Sequence, residues 1–428
     1  MFNKVLRQLA VSHIKKGTLT VILPDETTFV AGDQTGKMIA IRITEQATVR
    51  RLSFNPELAL GEAFMDGTLI MDQGNIYDFL ELIFQNTDVS QLTGIPKLVR
   101  TCFGLFNWMT GYNSITKSRS NVAHHYDLSG DLYRLFLDSD SQYSCGYFET
   151  DTSPLEEAQL AKKRHLAAKM VMAEGQRVLD IGSGWGGMGL YLARHFGARV
   201  DGVTLSEEQH AVSNARVETE GLEGQVQFLL RDYRAVKTQY DRIVSVGMFE
   251  HVGKKSYDEF FGKVKNLLTD DGVMMLHYIG QSGPPSHTNP WILKYIFPGG
   301  YMPALSEVLP VIERHGLCLT DLEVLRLHYA ETLRHWRLNF MARRDEAVAL
   351  YDERFARMWE FYLACSESGF RHQGLVIHQI QIAKRQDAVP LTRKYIEKAE
   401  QDLRAAEDAR NAPFTGTPVQ SACEATAP

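Results

Sequence analysis

Cysteine is scarce in this 428-residue chain, and its five residues, Cys102, Cys145, Cys318, Cys365 and Cys423, lie far apart with no CxxC. Neither a disulfide framework nor a zinc site fits that spacing, so reduced thiols are expected. No stretch approaches the roughly 18 uninterrupted apolar residues of a membrane-spanning helix. The opening MFNKVLRQLAVSHIKKG is too broken by charge for a secretory signal, and a cytoplasmic protein is expected. Basic excess is missing as well: the net charge is -6, which argues against a nucleic-acid binder. No HExxH or similarly spaced ligand set accompanies His124-His125, so no metal is expected.

What is present is ordinary globular material, 44% hydrophobic and 23% charged, long enough for two or three domains. In the first helix Lys4, Arg7, Lys15 and Lys16 punctuate Phe2, Val5, Leu6, Leu9, Val11 and Ile14. That pattern suits either a membrane surface or packing on its own domain. From Thr18 to Ser53 short β-rich runs (LTVIL, MIAIRI, ATVRRL) alternate with turn signals, and Ala59 to Phe84 reads as helical. The Gly- and Pro-containing piece from Thr93 to Ser120 reads as a connector. From about Tyr126 to Asp271 apolar strands alternate with helices, which predicts an α/β domain with a parallel sheet. Its strands are RVLDIG from Arg177, ARVDGVTL from Ala198, VQFLLRD from Val226, DRIVSVG from Asp241 and GVMMLHYIG from Gly272. Ser206 with Gln209 predicts a capping box after the second strand, and the tail after Asn411 is small and polar enough to be disordered.

Gly182-Ser183-Gly184-Trp185-Gly186-Gly187 satisfies G-x-G-x-x-G between a strand and a helix. Such loops serve dinucleotides, whose pyrophosphate sits on the helix N-terminus, or S-adenosylmethionine (SAM), which needs close backbone approach instead. A dinucleotide site wants an acid at the end of the second strand, whereas Asp201 falls inside it. Asp180, two residues before the first glycine, could face the cationic methionine amino group. SAM is favoured over an NAD-linked oxidoreductase and over glycines that serve only a tight turn.

Together HHYDLSGDLYRLFLDSDSQYSCGYF, VLDIGSGWGG, GVTLSEEQ, GMFEHVG and LHYIG resemble, in family order, the cyclopropane-fatty-acyl-phospholipid synthases and the related mycolic acid cyclopropane synthases. With FPGGYMP and LHYAETLRHW the resemblance runs from about Val122 to Gln381, and GEAFMDG near Gly61 is similar to the small accessory domain of the phospholipid-acting branch. It implies a class I Rossmann-like SAM-dependent methyltransferase domain with a smaller N-terminal α+β lipid-engaging domain. The expected division is 1–95 for the lipid-engaging domain, 96–121 for a linker, 122–410 for the catalytic domain and 411–428 for a tail.

Cyclopropanation by such an enzyme would add the SAM methyl carbon to a cis double bond, leaving a carbocation that a base must deprotonate. Glu250 follows the fourth strand and His277 lies near the end of the fifth, so both should reach the ligand crevice of an open α/β sheet. The resemblance implies a bound bicarbonate as base, held at Cys145, Glu250, His277, Ile279 and Tyr329. Backbone N–H groups at Cys145 and Ile279 and the side chains of His277 and Tyr329 would cradle the oxyanion, with Glu250 on its acidic OH. Tyr143, Ser144, Gly182, Thr204, Leu205, Gln209 and Asp232 match family positions that contact SAM, and Asp180, Gly184 and Tyr233 join them as cofactor-site candidates. Ser183 stands where the family often has cysteine, a change that a loop working through its backbone should tolerate. Blander roles stay open: Cys145 as a buried thiol, Gln209 as a helix cap, Tyr329 as a core aromatic.

The resemblance further implies a homodimer at the membrane surface, peripheral at the inner face of the cytoplasmic membrane, acting on phospholipid with unsaturated acyl chains. A fatty acyl methyltransferase giving methyl-branched or methyl-alkene products shares the same carbocation. A non-catalytic lipid-binding protein that keeps SAM as a ligand is disfavoured by the presence of both Glu250 and His277.

Overall fold

The computed structural model describes residues 1–87 and 129–411. The expected connector at 96–121, the His124-His125 pair and the tail after Asn411 lie outside the described residues. Two sheets organise the rest. The smaller has the order β2-β1-β3-β4, from β1 (Thr18–Ile22), β2 (Thr28–Ala31), β3 (Met38–Ile43) and β4 (Leu69–Gln73). Alternation sends Leu19, Val21, Ile39, Ile41 and Ile43 into the core. Around this sheet stand α1 (Phe2–His13), α2 (Gln46–Phe54), α3 (Pro56–Met65) and α4 (Ile76–Gln85).

Two expectations for this region are corrected. ATVRRL is not a strand but the middle of α2, because Thr48, Val49 and Leu52 fall on one helical face and are the buried residues there. The stretch from Ala59 to Phe84 is not helical throughout: Leu69–Gln73 forms β4, an edge strand that pairs antiparallel with β3. Helix α1 packs on its own unit. Phe2, Leu6 and Ala10 lie against the core and Phe2 meets Phe54 edge-on at 5.6 Å, while Val5, Leu9 and Val11 stay exposed.

The larger sheet has the order β10-β11-β9-β8-β5-β6-β7. Its strands are β5 (Arg177–Ile181), β6 (Arg199–Thr204), β7 (Val226–Leu230), β8 (Tyr240–Val246), β9 (Leu268–Gln281), β10 (Cys318–Leu325) and β11 (Leu375–Ala383). The first five pair in parallel, and β11 is inserted antiparallel between β9 and β10. The chain runs outward from β5 through β6 to β7 and returns to β8 on the other side. That switch opens a crevice at the carboxyl ends of β5 and β8, where open α/β sheets place ligands.

The helices of this unit are α5 (Gly130–Arg134), α6 (Leu155–Lys169), α7 (Gly187–Phe196), α8 (Glu207–Thr219), α9 (Tyr257–Leu267), α10 (Pro290–Tyr295), α11 (Leu305–Arg314), α12 (His328–Ala342), α13 (Arg344–Leu350), α14 (Glu353–His372) and α15 (Lys394–Asn411). Among the described residues, no helix is long and apolar enough to cross a membrane.

GEAFMDG sits where the two units meet. A Cβ on Gly61 would lie 2.4 Å from Trp291 Nε1 on α10, so only glycine admits the indole there. The same indole N–H donates toward Met65 Sδ at 3.3 Å. Glu62 accepts from Lys294 (2.7 Å) and from the Tyr295 hydroxyl (3.0 Å), and Asp66 accepts from Arg354 (2.9 Å).

Candidate active site

The glycine loop leaves β5 with Gly182, Gly184 and Gly186 all at positive φ, a path closed to larger residues. A Cβ on Gly182 would come within 2.7 Å of Met248, and one on Gly187 within 2.2 Å of Gln142. The loop is pinned where Gly182 and Ser183 both donate their N–H to the Val203 carbonyl (2.9 and 3.1 Å). It forms one wall of a cavity at the switch point. Tyr143, Ser144, Gly182, Gly184, Thr204, Leu205, Gln209, Asp232 and Tyr233 all line that cavity.

Asp180 does not line it. The carboxyl is buried beneath the loop, pushed up to about 7 by burial, with Lys162 pulling it the other way. Lys162 is itself buried, and burial pushes it down to about 8. It donates to Gln142 Oε1 (2.6 Å) and Ser144 Oγ (2.8 Å) and so fixes the cavity's other wall. Asp180 Oδ2 is buried there without a hydrogen-bond partner.

Gln209 departs from the expected capping box. Ser206 caps α8 by accepting the Gln209 N–H (3.3 Å), but the Gln209 side chain accepts from Thr204 Oγ1 (2.9 Å) instead of reaching back to the Ser206 N–H. Asp232 holds Arg234 in a bidentate pair, Oδ1 to Nε at 2.8 Å and Oδ2 to Nη2 at 2.7 Å. Asp201 accepts from Tyr240 Oη and Gln227 Nε2, both at 2.7 Å, inside β6 and away from the strand end a ribose would need.

Several wall residues lie beyond the sequence-based expectation: Gln142, Trp185, Met188, Met248 and His251. Trp185 and Gln142 fall within the motifs quoted above, so adjacency could have found them. His251 stacks edge-on at 5.8 Å with Phe297, and burial pushes its imidazole down to about 4. Ser141 holds a left-handed φ of 55° at the rim, locked by the Asp138 carbonyl (2.9 Å).

The residues expected to carry the chemistry lie deeper and none of the five lines the cavity. Glu250, on the short turn after β8, accepts the Ile279 N–H at Oε1 (2.6 Å), while its Oε2 is buried without a partner. The Ile279 N–H is therefore taken by Glu250. Burial pushes the Glu250 carboxyl up to about 7, with the Ile279 N–H acting in the opposite sense. His277, on β9, is 1% exposed; burial and then Lys162, Lys169 and His165 push it well below its ordinary range, so it is neutral. Its Nε2 is likewise buried without a partner.

Cys145 is fully buried, and burial pushes its thiol far up, which rules against a thiolate nucleophile. Its neighbour Gly146 donates to Thr332 Oγ1 (3.0 Å) on α12, the helix that also carries Tyr329. Cys145, Tyr329 and Ile279 share one apolar cluster with Tyr143, Trp185, Trp336 and Phe370. Trp336 stacks on Tyr143 at 5.2 Å and meets Tyr329 edge-on at 5.7 Å. These rings form a packed, π-rich cluster, and Glu250 Oε2 and His277 Nε2 are buried polar atoms without a hydrogen-bond partner whose chemistry suits a small oxyanion.

Residues 113–380 match the model of the mycolic acid cyclopropane synthetase family, and residues 5–93 match a domain of unknown function, DUF7884. The chain is 36% identical over 347 residues to a cyclopropane-fatty-acyl-phospholipid synthase of Escherichia coli strain K12, covering 80% of this chain and 87% of the relative. It is 36% identical over 391 residues to the tuberculostearic acid methyltransferase UfaA1 of Mycobacterium tuberculosis, covering 88% and 89%. Among solved structures, mycolic acid cyclopropane synthase CmaA1 complexed with SAH and CTAB superposes with a TM-score of 0.59 at 34% identity, covering 62% of this chain and 97% of that one. The chain belongs to the mycolic acid cyclopropane synthetase family and is a SAM-dependent methyltransferase.

Proposed function

We propose that this member of the family is a cyclopropane-fatty-acyl-phospholipid synthase, adding the SAM methyl carbon to cis double bonds of phospholipid acyl chains. The observation that carries this reading is the pair of buried atoms without a hydrogen-bond partner, Glu250 Oε2 and His277 Nε2. An alkene is a weak nucleophile, so the first step asks the cavity walls chiefly to position SAM and exclude water. The rings of Tyr143, Tyr329 and Trp336 would face the carbocation and shield it from water. When bound, a bicarbonate ion would supply an oxyanion able to take the proton whose loss closes the ring. Cys145, Glu250, His277, Ile279 and Tyr329 would hold it: Glu250 through a carboxyl near neutrality and His277 through one imidazole nitrogen. Tyr143, Ser144, Gly182, Gly184, Thr204, Leu205, Gln209, Asp232 and Tyr233 would bind SAM, with Asp180 acting behind them.

We also propose the division into a lipid-engaging unit at 1–95, a linker at 96–121, a catalytic unit at 122–410 and a tail. A homodimer would work peripherally at the inner face of the membrane, with the exposed Val5, Leu9 and Val11 of α1 toward lipid. The equal identity to UfaA1 favours a second reading, a fatty acyl methyltransferase with a methyl-branched product. Incubation of the purified protein with SAM and cis-unsaturated phospholipid vesicles, followed by gas chromatography and mass spectrometry, separates the two. A ring-containing acyl chain is expected. A methyl branch would move the final proton transfer to the second reading, and no product on any lipid would sink both.

A further inference from the structure

Behind His277 runs a chain of buried polar side chains that the proposed chemistry does not itself use. Gln379 lies directly opposite His277 in the β9–β11 ladder. Its Oε1 accepts from Lys169 Nζ at 2.9 Å, and its Nε2 lies 3.3 Å from His277 Nδ1. An ammonium group only donates, so the end of the Gln379 amide facing Lys169 must be oxygen. The end facing His277 is then the NH2 group, a donor. His277 Nδ1 must accept, and a neutral imidazole that accepts at Nδ1 carries its proton on Nε2. Nε2 is the buried atom left without a hydrogen-bond partner.

Lys169 cannot easily turn away. It is fully buried, it pairs with Glu323, and Asp321 lies 3.8 Å from it. Glu323 also takes His165 Nε2 at 2.7 Å, and Glu400 on α15 takes His165 Nδ1 at 2.5 Å. Although burial pushes Glu323 up, its bonds to His165 and Lys169 hold it down to about 2, so the acceptor stays charged.

We infer that Gln379, oriented by Lys169, is a positioning residue that fixes the His277 tautomer, so that Nε2 presents an N–H to an oxyanion. This rests on the oxyanion-site reading given under Proposed function. Neither residue would touch substrate; both act through the imidazole. The general cost of a wrong tautomer is large: in a Ser-His-Asp triad it reaches about 10⁴-fold in kcat.

The test uses full-length protein with ¹⁵N-labelled histidine, the His277 resonances being assigned by their loss in His277→Asn. In the unmutated protein Nε2 should be protonated and Nδ1 bare. Gln379→Glu replaces the donor by an acceptor and should place a proton on Nδ1, while Lys169→Met frees the amide to turn and should mix the two tautomers. In Gln379→Glu kcat should fall by about 10²-fold or more while KM for SAM stays within about twofold. A proton on Nδ1 in the unmutated protein would overturn the inference even if no variant folded. So would a Gln379→Glu protein with an unchanged tautomer and unchanged kcat. Titration with bicarbonate separates this inference from the reading beneath it. If the tautomers behave as expected but bicarbonate moves neither the Nε2 resonance nor the rate, the bound-base reading fails and the role of Gln379 stands.

Discussion

The cavity at the switch point and the polar layer behind His277 use opposite materials. The cavity rests largely on backbone: glycines at positive φ and N–H groups on the Val203 carbonyl, with loop side chains such as Gln142 and Trp185 completing its wall. The layer is made of long polar side chains drawn from α6, β10, β11 and α15, with its cations Arg164 and Lys169 buried and the carboxylates Glu323 and Glu400 partly exposed. On α6 alone, Lys162, Lys163, Arg164, His165 and Lys169 are buried. A backbone cavity tolerates changes of side chain that keep the path, whereas a buried ionic layer tolerates almost no loss of a partner, because each charge left behind stays desolvated.

The sharpest way to break this comparison is at Glu250, which lies deeper than the cavity wall. Glu250→Gln is expected to lower kcat by about 10³-fold while SAM affinity measured by calorimetry is unchanged; an active variant would remove Glu250 from the chemistry. Next is the cavity wall. Gly182→Val puts a Cβ against Met248 at a φ of 80° and should weaken SAM binding by about 10–100-fold. Wild-type affinity in that variant would mean that the loop does not touch the ligand.

In the layer, Arg164 pairs with Glu407 and both are 6% exposed. Arg164→Met should cost about 3 kcal/mol in chemical denaturation and leave SAM affinity alone. The carboxyl of Glu250 gives a pH test with a definite sign. Its pKa is raised on folding, so its stabilising contribution is complete below about 4.5 and is lost as pH rises through about 7. Glu250→Gln should therefore raise Tm at pH 8 by more than at pH 5 in bicarbonate-free buffer; an equal shift at both would contradict the burial argument. The smallest expected effect is on the outer face of α15, where Lys398 and Asp402 pair in the open. Lys398→Ala should change stability by no more than about 0.5 kcal/mol, in contrast to the buried pair that Glu407 of the same helix makes with Arg164 of α6.

The same difference in materials decides how much of the molecule is legible in its amino-acid sequence. The five parallel strands, the glycine loop and the part of the cavity wall that follows β5 and β6 are legible, because there strand, turn and helix N-terminus follow one another along the chain. The position of Asp180 beneath the loop, outside the cavity lining, is not visible in the sequence, which shows only its distance from the first glycine. ATVRRL misleads through β-branched residues whose helical spacing matters more. The layer is illegible: Lys169, Glu323, Gln379 and Glu400 are scattered over more than half the catalytic unit, and only the insertion of β11 between β9 and β10 brings them together.

Gly61 has a consequence for inheritance. Because its missing side chain is the socket for Trp291, the two units fit as a keyed joint, with the key on one part and the slot on the other. Swapping the small unit between relatives would then succeed only when both halves of the joint travel together. A chimera that kept Trp291 but received any larger residue at position 61 would hold its two parts in the wrong attitude, however well each part folded.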